Sequence, residues 1–310
     1  MRKGLFIVFI ISMVIPLAGA AADPGKVADI NGTKLYVKEI GKGEPVIVIH
    51  GGPGLFHDYF LPHMEKLAKN RKLIFFDQRG NGRSEVPLNS GTYTLKNLVD
   101  DIEGIRKYYK LEKVNLLGHS FGGFLAMHYA VKYPEHMKSL VLMNTAPASS
   151  DLMMQAILNK QSRYSKEDTA ALGKLMTDPR FMKGDPEVVG KFFRIAEKFS
   201  VSDSKFLDEV FSVPFTENTA RNMLMINQLS RQIFADYDIH DLLPGIPCPT
   251  LIVHGLNDFI PLESSKKIQR AVKGSELAVI KNCAHYPFIE TPEQLFPLLE
   301  DFYTEIQVKR

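Results

Sequence analysis

The chain has 310 residues, which is long for one compact domain and short for two full ones. Apolar residues make up 45% of it and charged residues 24%, so the composition excludes a disordered chain, a collagen-like chain and a coiled coil. The formal net charge of +3 is distributed without a basic run, which argues against a nucleic-acid partner. Two cysteines are too few for a disulfide framework, and no pair of Cys and His has the spacing of zinc ligands.

The N-terminal segment has the three parts of a secretory signal peptide. Arg2 and Lys3 precede an apolar run over residues 5–17, and small residues follow at 18–20. The alternative is an uncleaved membrane anchor, but this apolar run is short for a span of ~20 residues. We therefore predict a signal peptide at residues 1–22 and an exported protein, periplasmic or secreted, with no stable membrane association after cleavage.

Apolar runs alternate with helical patterns through most of the remaining chain. Continuous apolar runs, as expected for strands buried on both faces, lie at 45–50, 72–76, 114–117, 140–143, 250–253 and 277–280. Helical spacing of apolar residues separates most of these runs. This alternation predicts an α/β fold with a mostly parallel, twisted sheet flanked by helices. Residues 33–40 alternate polar and apolar side chains, and we expect them to pair antiparallel at an edge of the sheet.

The alternation stops between residues 146 and 237. This stretch is rich in Met, Phe, Lys and Glu and has helical periodicity without a convincing buried strand. We therefore predict an α/β core at 23–145 and 238–310, with a helical cap inserted at 146–237. The functional interpretation is a lid over a site, and the alternative is a purely structural subdomain.

A candidate nucleophile follows the third continuous apolar run. The pentapeptide from Gly118 to Gly122 reads G-x-S-x-G and stands between a predicted strand and a predicted helix. In this context the motif predicts a nucleophile elbow, a tight turn that exposes the hydroxyl of Ser120. A helix N-terminus beside the hydroxyl favours developing negative charge.

A serine hydroxyl needs a base and an acid that orients the base, and two later positions fit. Asp258 follows the predicted strand at 250–253, and His285 follows the predicted strand at 277–280. Each could instead be a structural loop residue. Asp238 and Asp241 compete for the acid, but they precede their strand and should lie at the other end of the sheet.

The glycine-rich segment His50-Gly-Gly-Pro-Gly54 follows the first continuous apolar run. The backbone N–H groups of Gly52 and Phe121 are predicted to form the oxyanion hole. The segment lacks the Gly-Lys-Ser/Thr of a phosphate-binding loop. The mechanism we predict requires no metal and no organic cofactor, and His50 is expected to be structural.

Two longer motifs point to a family. The chain resembles the proline iminopeptidase family of serine aminopeptidases in these two motifs, HGGPGLFHDY at residues 50–59 and FDQRGNGRS at 76–84, and in GHSFGG at 118–123. The resemblance covers residues 25–145 and 238–308. It implies an α/β-hydrolase fold and hydrolysis of an N-terminal residue, often proline, from a short peptide substrate.

The resemblance also implies a carboxylate that holds the substrate ammonium, in or near the cap. Some members place one directly after the triad aspartate, where this chain has Phe259. We favour Glu217 among five candidates, each of which could instead be a solvated charge on a helix: Glu167, Glu187, Glu197, Glu209 and Glu217.

Asp77 and Arg79 follow the predicted strand at 72–76. We expect them to form an ion pair that braces the loop below the site, in preference to a direct part in catalysis. Their position close to the oxyanion segment makes support of that segment a plausible role.

Two other functions remain open. A carboxylesterase or lactonase acting on small esters would use the same three residues. A non-catalytic binding protein with the same fold would be expected to have a broken triad, whereas Ser120, Asp258 and His285 are all present.

Overall fold

The computed structural model describes residues 25–87 and 89–308, and the predicted signal peptide lies outside these residues. Within them the chain forms one eight-stranded sheet with the spatial order β1-β2-β4-β3-β5-β6-β7-β8. The strands are β1 (Lys26–Ile30), β2 (Thr33–Ile40), β3 (Glu44–Ile49), β4 (Arg71–Phe76), β5 (Val114–His119), β6 (Met137–Met143), β7 (Thr250–Gly255) and β8 (Glu276–Ile280).

The pairing pattern confirms the predicted α/β fold class. From β4 to β8 the neighbouring strands are parallel, whereas β2 pairs antiparallel with both β4 and β1. The antiparallel pairing of residues 33–40 is therefore confirmed, but β1 and not β2 is the edge strand. The sequence analysis missed β1 because it has five residues, of which only two are buried.

Helices cover both faces of the sheet. Those of the core are α1 (Leu95–Tyr108), α2 (Phe121–Lys132), α9 (Leu262–Ala271), α10 (Pro287–Glu290) and α11 (Pro292–Val308). Thr94 caps the N-terminus of α1, since its hydroxyl accepts from the backbone N–H of Asn97, and the apolar side of the helix packs toward the sheet. In contrast, α2 is apolar around most of its circumference because the sheet and neighbouring segments enclose it.

Between β6 and β7, where the cap was predicted, the described chain is helical. The helices are α3 (Ser150–Gln161), α4 (Lys166–Thr177), α5 (Pro179–Met182), α6 (Pro186–Ala196), α7 (Phe206–Val210) and α8 (Glu217–Ser230). Five buried residues from α5, α6 and α8 form a small apolar cluster of their own: Phe181, Val188, Val189, Ala220 and Met223. We call residues 146–237 the cap.

The cap contacts the core through α8. The side-chain amide of Asn227 donates to the carbonyl oxygen of Pro53 at 3.0 Å. A side chain added at Gly54 would collide with Met223, so the glycine allows α8 to approach this closely. Among residues 25–87 and 89–308, no helix is both long enough and apolar enough to cross a membrane.

Candidate active site

Three of the residues singled out from the sequence lie just beyond the carboxyl ends of parallel strands. Ser120 follows β5, Asp258 follows β7 and His285 follows β8. In open α/β sheets, the carboxyl ends of the strands form the crevice in which ligands bind. The topology therefore brings these three residues to one edge of the sheet.

Ser120 has the backbone conformation of a strained turn. Its φ of 54° and ψ of −121° are unusual for a residue with a side chain, and α2 begins at the next residue. A Cβ at Gly122 would collide with the carbonyl oxygens of Ile49 and His50. The glycine therefore lets the nucleophile elbow, residues 118–122, pack directly against the end of β3.

Asp258 and His285 are hydrogen bonded to each other. Nδ1 of His285 lies 2.9 Å from Oδ2 and 3.1 Å from Oδ1 of Asp258, and both side chains are buried. Burial alone would raise the pKa of Asp258. This effect of burial is outweighed by the positive charge that His285 can carry and by the hydrogen bonds from His285 and Asn144. Together they lower the pKa of Asp258 to about 2. An ionised Asp258 can thus fix the proton of His285 on Nδ1 and leave Nε2 free to act as a base.

The carboxylate of Glu290, at the end of α10, binds the backbone on both sides of His285. Glu290 accepts hydrogen bonds from the backbone N–H groups of Ala284 at 3.0 Å and Tyr286 at 2.8 Å, on either side of His285. The same carboxylate accepts from the N–H of Ser202 in the cap at 2.7 Å. We call residues 281–286 the histidine loop, and Glu290 joins it to the cap.

The oxyanion loop, residues 50–54, is fixed by His50. The backbone N–H of Gln78 donates to Nε2 of His50 at 3.0 Å, so the ring proton is on Nδ1, which donates to the carbonyl oxygen of Gly51 at 2.7 Å. Burial lowers the pKa of His50 to about 4, which keeps the ring neutral. The peptide unit held in this way also contains the N–H of Gly52, one of the two predicted oxyanion donors.

The oxyanion loop lies against Ser120. A Cβ on Gly51 would come within 2.9 Å of Cβ of Ser120. Gly52 has a φ of +124°, a conformation that favours glycine. The other predicted donor, Phe121, is the first residue of α2, so its N–H has no acceptor within the helix.

The expected ion pair between Asp77 and Arg79 does not form. The carboxylate of Asp77 accepts instead from Nδ1 of His57 at 2.6 Å and from the N–H of Arg83 at 2.9 Å. Arg79 forms a buried, bidentate ion pair with Asp101 on α1. Its Nε donates to Oδ2 at 2.6 Å and its Nη2 donates to Oδ1 at 2.5 Å. Both residues therefore brace the loop below the site, but each does so with a different partner.

The five cap glutamates differ in whether their described contacts lead to this site. Glu217, the candidate favoured from the sequence, is exposed at the first position of α8, and its described contacts do not reach the histidine loop. Glu197 is partly buried, and its Oε2 accepts from the hydroxyl of Ser200 at 2.6 Å. The carbonyl oxygen of Ser200 accepts in turn from the N–H of His285 at 3.0 Å. The structure thus brings Glu197, and not Glu217, toward His285.

A second path connects Glu197 to His285. Oε1 of Glu197 pairs with Nζ of Lys160 at 2.9 Å, and this ammonium lies 4.7 Å from the ring centroid of Phe259. The ring of Phe259 packs on that of His285, with centroids 4.8 Å apart. The ring of Phe259, the residue after Asp258, therefore lies between His285 and the ion pair of Lys160 and Glu197.

Sequence reasoning missed three polar residues of the site. Asn144 directly follows β6, so its place at the carboxyl edge of the sheet was a usable signal. Glu290 stands five residues after His285, but a side chain that binds backbone N–H groups has no characteristic sequence pattern. Lys160 lies on a cap helix, where spacing alone does not show which side chains face the core.

The comparisons with known proteins identify the family. A model of the alpha/beta hydrolase fold family matches residues 44–292. A relative described as a proline iminopeptidase, from Pestalotiopsis fici, is 31% identical over 268 residues, which are 84% of this chain and 93% of the relative. The chain belongs to the α/β-hydrolase family, in its proline iminopeptidase-like branch.

Solved structures support the fold without deciding the substrate. An esterase from Thermogutta terrifontis superimposes with a TM-score of 0.68 at 23% identity, over 91% of this chain and 99% of that one. A proline iminopeptidase of Mycobacterium smegmatis superimposes with a TM-score of 0.67 at 20% identity, over 92% and 100%. The family match and the curated relatives, not these structures, identify this chain as a serine hydrolase.

Proposed function

We propose that the protein releases an N-terminal residue, preferably proline, from short peptides through Ser120, Asp258 and His285. The observation that supports this most strongly is the buried hydrogen bond between Asp258 and His285, at the same sheet edge as the strained elbow of Ser120. A relative that is 31% identical carries the name proline iminopeptidase, which supports the peptide substrate.

In the proposed mechanism, Nε2 of His285 takes the proton of Ser120 while Oγ forms a bond with the scissile carbonyl carbon. The N–H groups of Gly52 and Phe121 stabilise the oxyanion. His285 then gives its proton to the leaving amine as the C–N bond breaks and an acyl-enzyme remains. Water, deprotonated by His285, attacks the acyl carbon, and the proton returns to Ser120 as the acid is released.

The substrate ammonium is best accommodated by Glu197. It is the cap carboxylate with contacts that lead to His285, through Ser200 and through Phe259. Lys160 currently neutralises this carboxylate, so an incoming ammonium would take over part of the Lys160 interaction. Glu217 has no comparable connection among the described residues, so a change at Glu217 provides a control.

A carboxylesterase or lactonase is the second candidate, and one observation favours it. The ion pair between Lys160 and Glu197 leaves no unpaired carboxylate there, which suits a substrate without an ammonium. An ester has a better leaving group than an amide, and the proposed residues would hydrolyse it by the same steps.

The two substrates can be separated by steady-state kinetics. We expect proline naphthylamide to be hydrolysed faster than other aminoacyl naphthylamides. Glu197→Gln should raise the KM for proline naphthylamide at least tenfold and leave nitrophenyl acetate hydrolysis nearly unchanged, whereas the exposed-site control Glu217→Gln should change neither. Rapid ester hydrolysis without amide cleavage would establish the esterase instead.

We also propose export through residues 1–22, to the periplasm or outside the cell. The charged, apolar and small-residue parts of this segment support the proposal. Intact-mass measurement of protein recovered from cell fractions tests it. We expect an exported form that starts near residue 21 or 23, and full-length protein in the cytoplasm would contradict export.

A further inference from the structure

A buried chain of three hydrogen bonds links the oxyanion loop, the nucleophile elbow and the histidine loop. The backbone N–H of Gly51 donates to the Tyr59 hydroxyl at 2.5 Å. That hydroxyl lies 2.8 Å from Nδ1 of His119, the residue before Ser120. At its other end the ring reaches the carbonyl oxygen of His285, with Nε2 at 2.7 Å.

The chemistry of the groups permits one direction for this chain. The carbonyl oxygen of His285 can only accept, so the one proton of a neutral His119 ring is on Nε2 and Nδ1 is an acceptor. The Tyr59 hydroxyl therefore donates to Nδ1, and its oxygen accepts from the N–H of Gly51. Burial, aided by the nearby His285, lowers the pKa of His119 to about 3, so the ring stays neutral.

Both ring nitrogens of His119 are therefore occupied. This excludes a role for His119 as a second general base for Ser120, although it is the adjacent residue. Its ring also packs against that of His285, with centroids 4.8 Å apart. His119 therefore acts on the site through the backbone of the loops that it contacts.

We propose that Tyr59 and His119 are positioning residues that set the separation of the oxyanion loop and the histidine loop on either side of Ser120. This inference rests on the proposed roles of Ser120 and His285. Without these three hydrogen bonds, Gly51 and His285 would no longer be connected through Tyr59 and His119. The oxyanion donors would then shift relative to the base. Such a shift weakens interactions that form in the transition state more than those of the bound substrate.

The first test removes the Tyr59 hydroxyl. We expect Tyr59→Phe to lower kcat for nitrophenyl acetate about 10- to 100-fold with little change in KM, and to slow fluorophosphonate labelling by a similar factor. The matched control is Tyr303→Phe, since this buried hydroxyl has no hydrogen-bond partner among the described residues. Unchanged kcat and labelling in a folded Tyr59→Phe protein would overturn the proposal.

A second variant tests whether the two residues act together. His119→Asn retains a short side-chain acceptor for Tyr59 but withdraws the donor from the carbonyl of His285. The double variant should lose no more activity than the more impaired single variant, because both changes interrupt one chain. Losses in kcat that multiply would show independent roles and contradict the proposal.

The wild-type protein provides a test that does not depend on folding of the variants. In histidine-labelled ¹⁵N NMR spectra, His119 should remain the neutral tautomer with its proton on Nε2 from pH 5 to 8. A ring that is doubly protonated, or protonated on Nδ1, would overturn the proposed chain. Absence of both esterase activity and labelling in the wild type would instead contradict the proposed function, and the spectra would still decide the hydrogen-bond chain.

Discussion

Nδ2 of Asn144 lies 2.7 Å from Oδ2 of Asp258 and also 2.7 Å from the carbonyl oxygen of Ala284. One buried amide, placed directly after β6, thus joins the proposed acid to the residue before His285. Asn144 has a φ of 44°, a conformation that asparagine tolerates better than most residues. The acid and the base are therefore oriented by a shared donor as well as by each other.

We predict that Asn144→Gly lowers kcat about tenfold to a hundredfold, because glycine keeps the backbone conformation and removes the amide. Asp258 would lose one of the donors that stabilise its charge. Steady-state kinetics of naphthylamide or ester hydrolysis measure the effect, and the exposed Asn218→Gly is the control. A kcat within twofold of the wild type would show that Asn144 does not orient the acid.

Glu290→Gln should destabilise the histidine loop. Three backbone N–H groups share the two carboxylate oxygens, and an amide offers one oxygen and an opposing NH₂ group. We expect the free energy of unfolding to fall by roughly 1–3 kcal/mol and kcat to fall with it. Denaturant unfolding measures the change, with the exposed Glu293→Gln as the control. Equal stability of the two variants would contradict this role.

The pair of Arg79 and Asp101 is predicted to be important for stability. Replacing Arg79 with Met leaves Asp101 buried without its cation, which should cost about 3–5 kcal/mol of unfolding free energy. The surface pair of Arg180 and Asp178 provides the comparison, since Arg180→Met should lower the free energy of unfolding far less. Similar losses in the two variants would show that burial does not determine the cost.

His128 makes stability depend on pH. Its Nε2 is buried without a hydrogen-bond partner in the described part of the chain, and burial lowers its pKa from 6.5 to about 4. As the pH falls from 6.5 to 4, the unfolded chain binds a proton that the folded protein does not, so the free energy of unfolding decreases. The loss from this residue reaches roughly 3 kcal/mol at pH 4.

His128→Phe should therefore reduce the dependence of stability on acid. Unfolding by denaturant at several pH values between 7 and 4 measures the slope for each protein. We expect a shallower decrease in the variant, whatever its stability at pH 7. Parallel curves would mean that His128 takes up its proton over the same pH range in the folded protein as in the unfolded chain.

The sequence predicts the fold because its main signals are local. Each continuous apolar run from 45–50 to 277–280 corresponds to a strand, and the parallel arrangement follows from the helical segments between them. The same logic places Ser120, Asp258 and His285 at one edge, since a residue directly after a parallel strand has little freedom of position. Their catalytic roles stay predictions.

Contacts that depend on tertiary packing were beyond the sequence. Proximity along the chain predicts that Arg79 pairs with Asp77, but its partner in the structure, Asp101, lies on α1. The sequence does not separate Glu217 from Glu197, because the packing of the cap on the core decides which carboxylate has contacts that lead to the site. Spacing along a helix identifies residues that share a face and does not identify what that face contacts.

The central claim is that Ser120 is a nucleophile activated by His285 and Asp258. The most direct measurement is fluorophosphonate labelling of folded protein, followed by mass spectrometry of its peptides. We predict one adduct, on Ser120, that is absent from Ser120→Ala and strongly reduced in His285→Ala. A folded wild-type protein that carries no adduct, or carries it on another residue, would contradict the account.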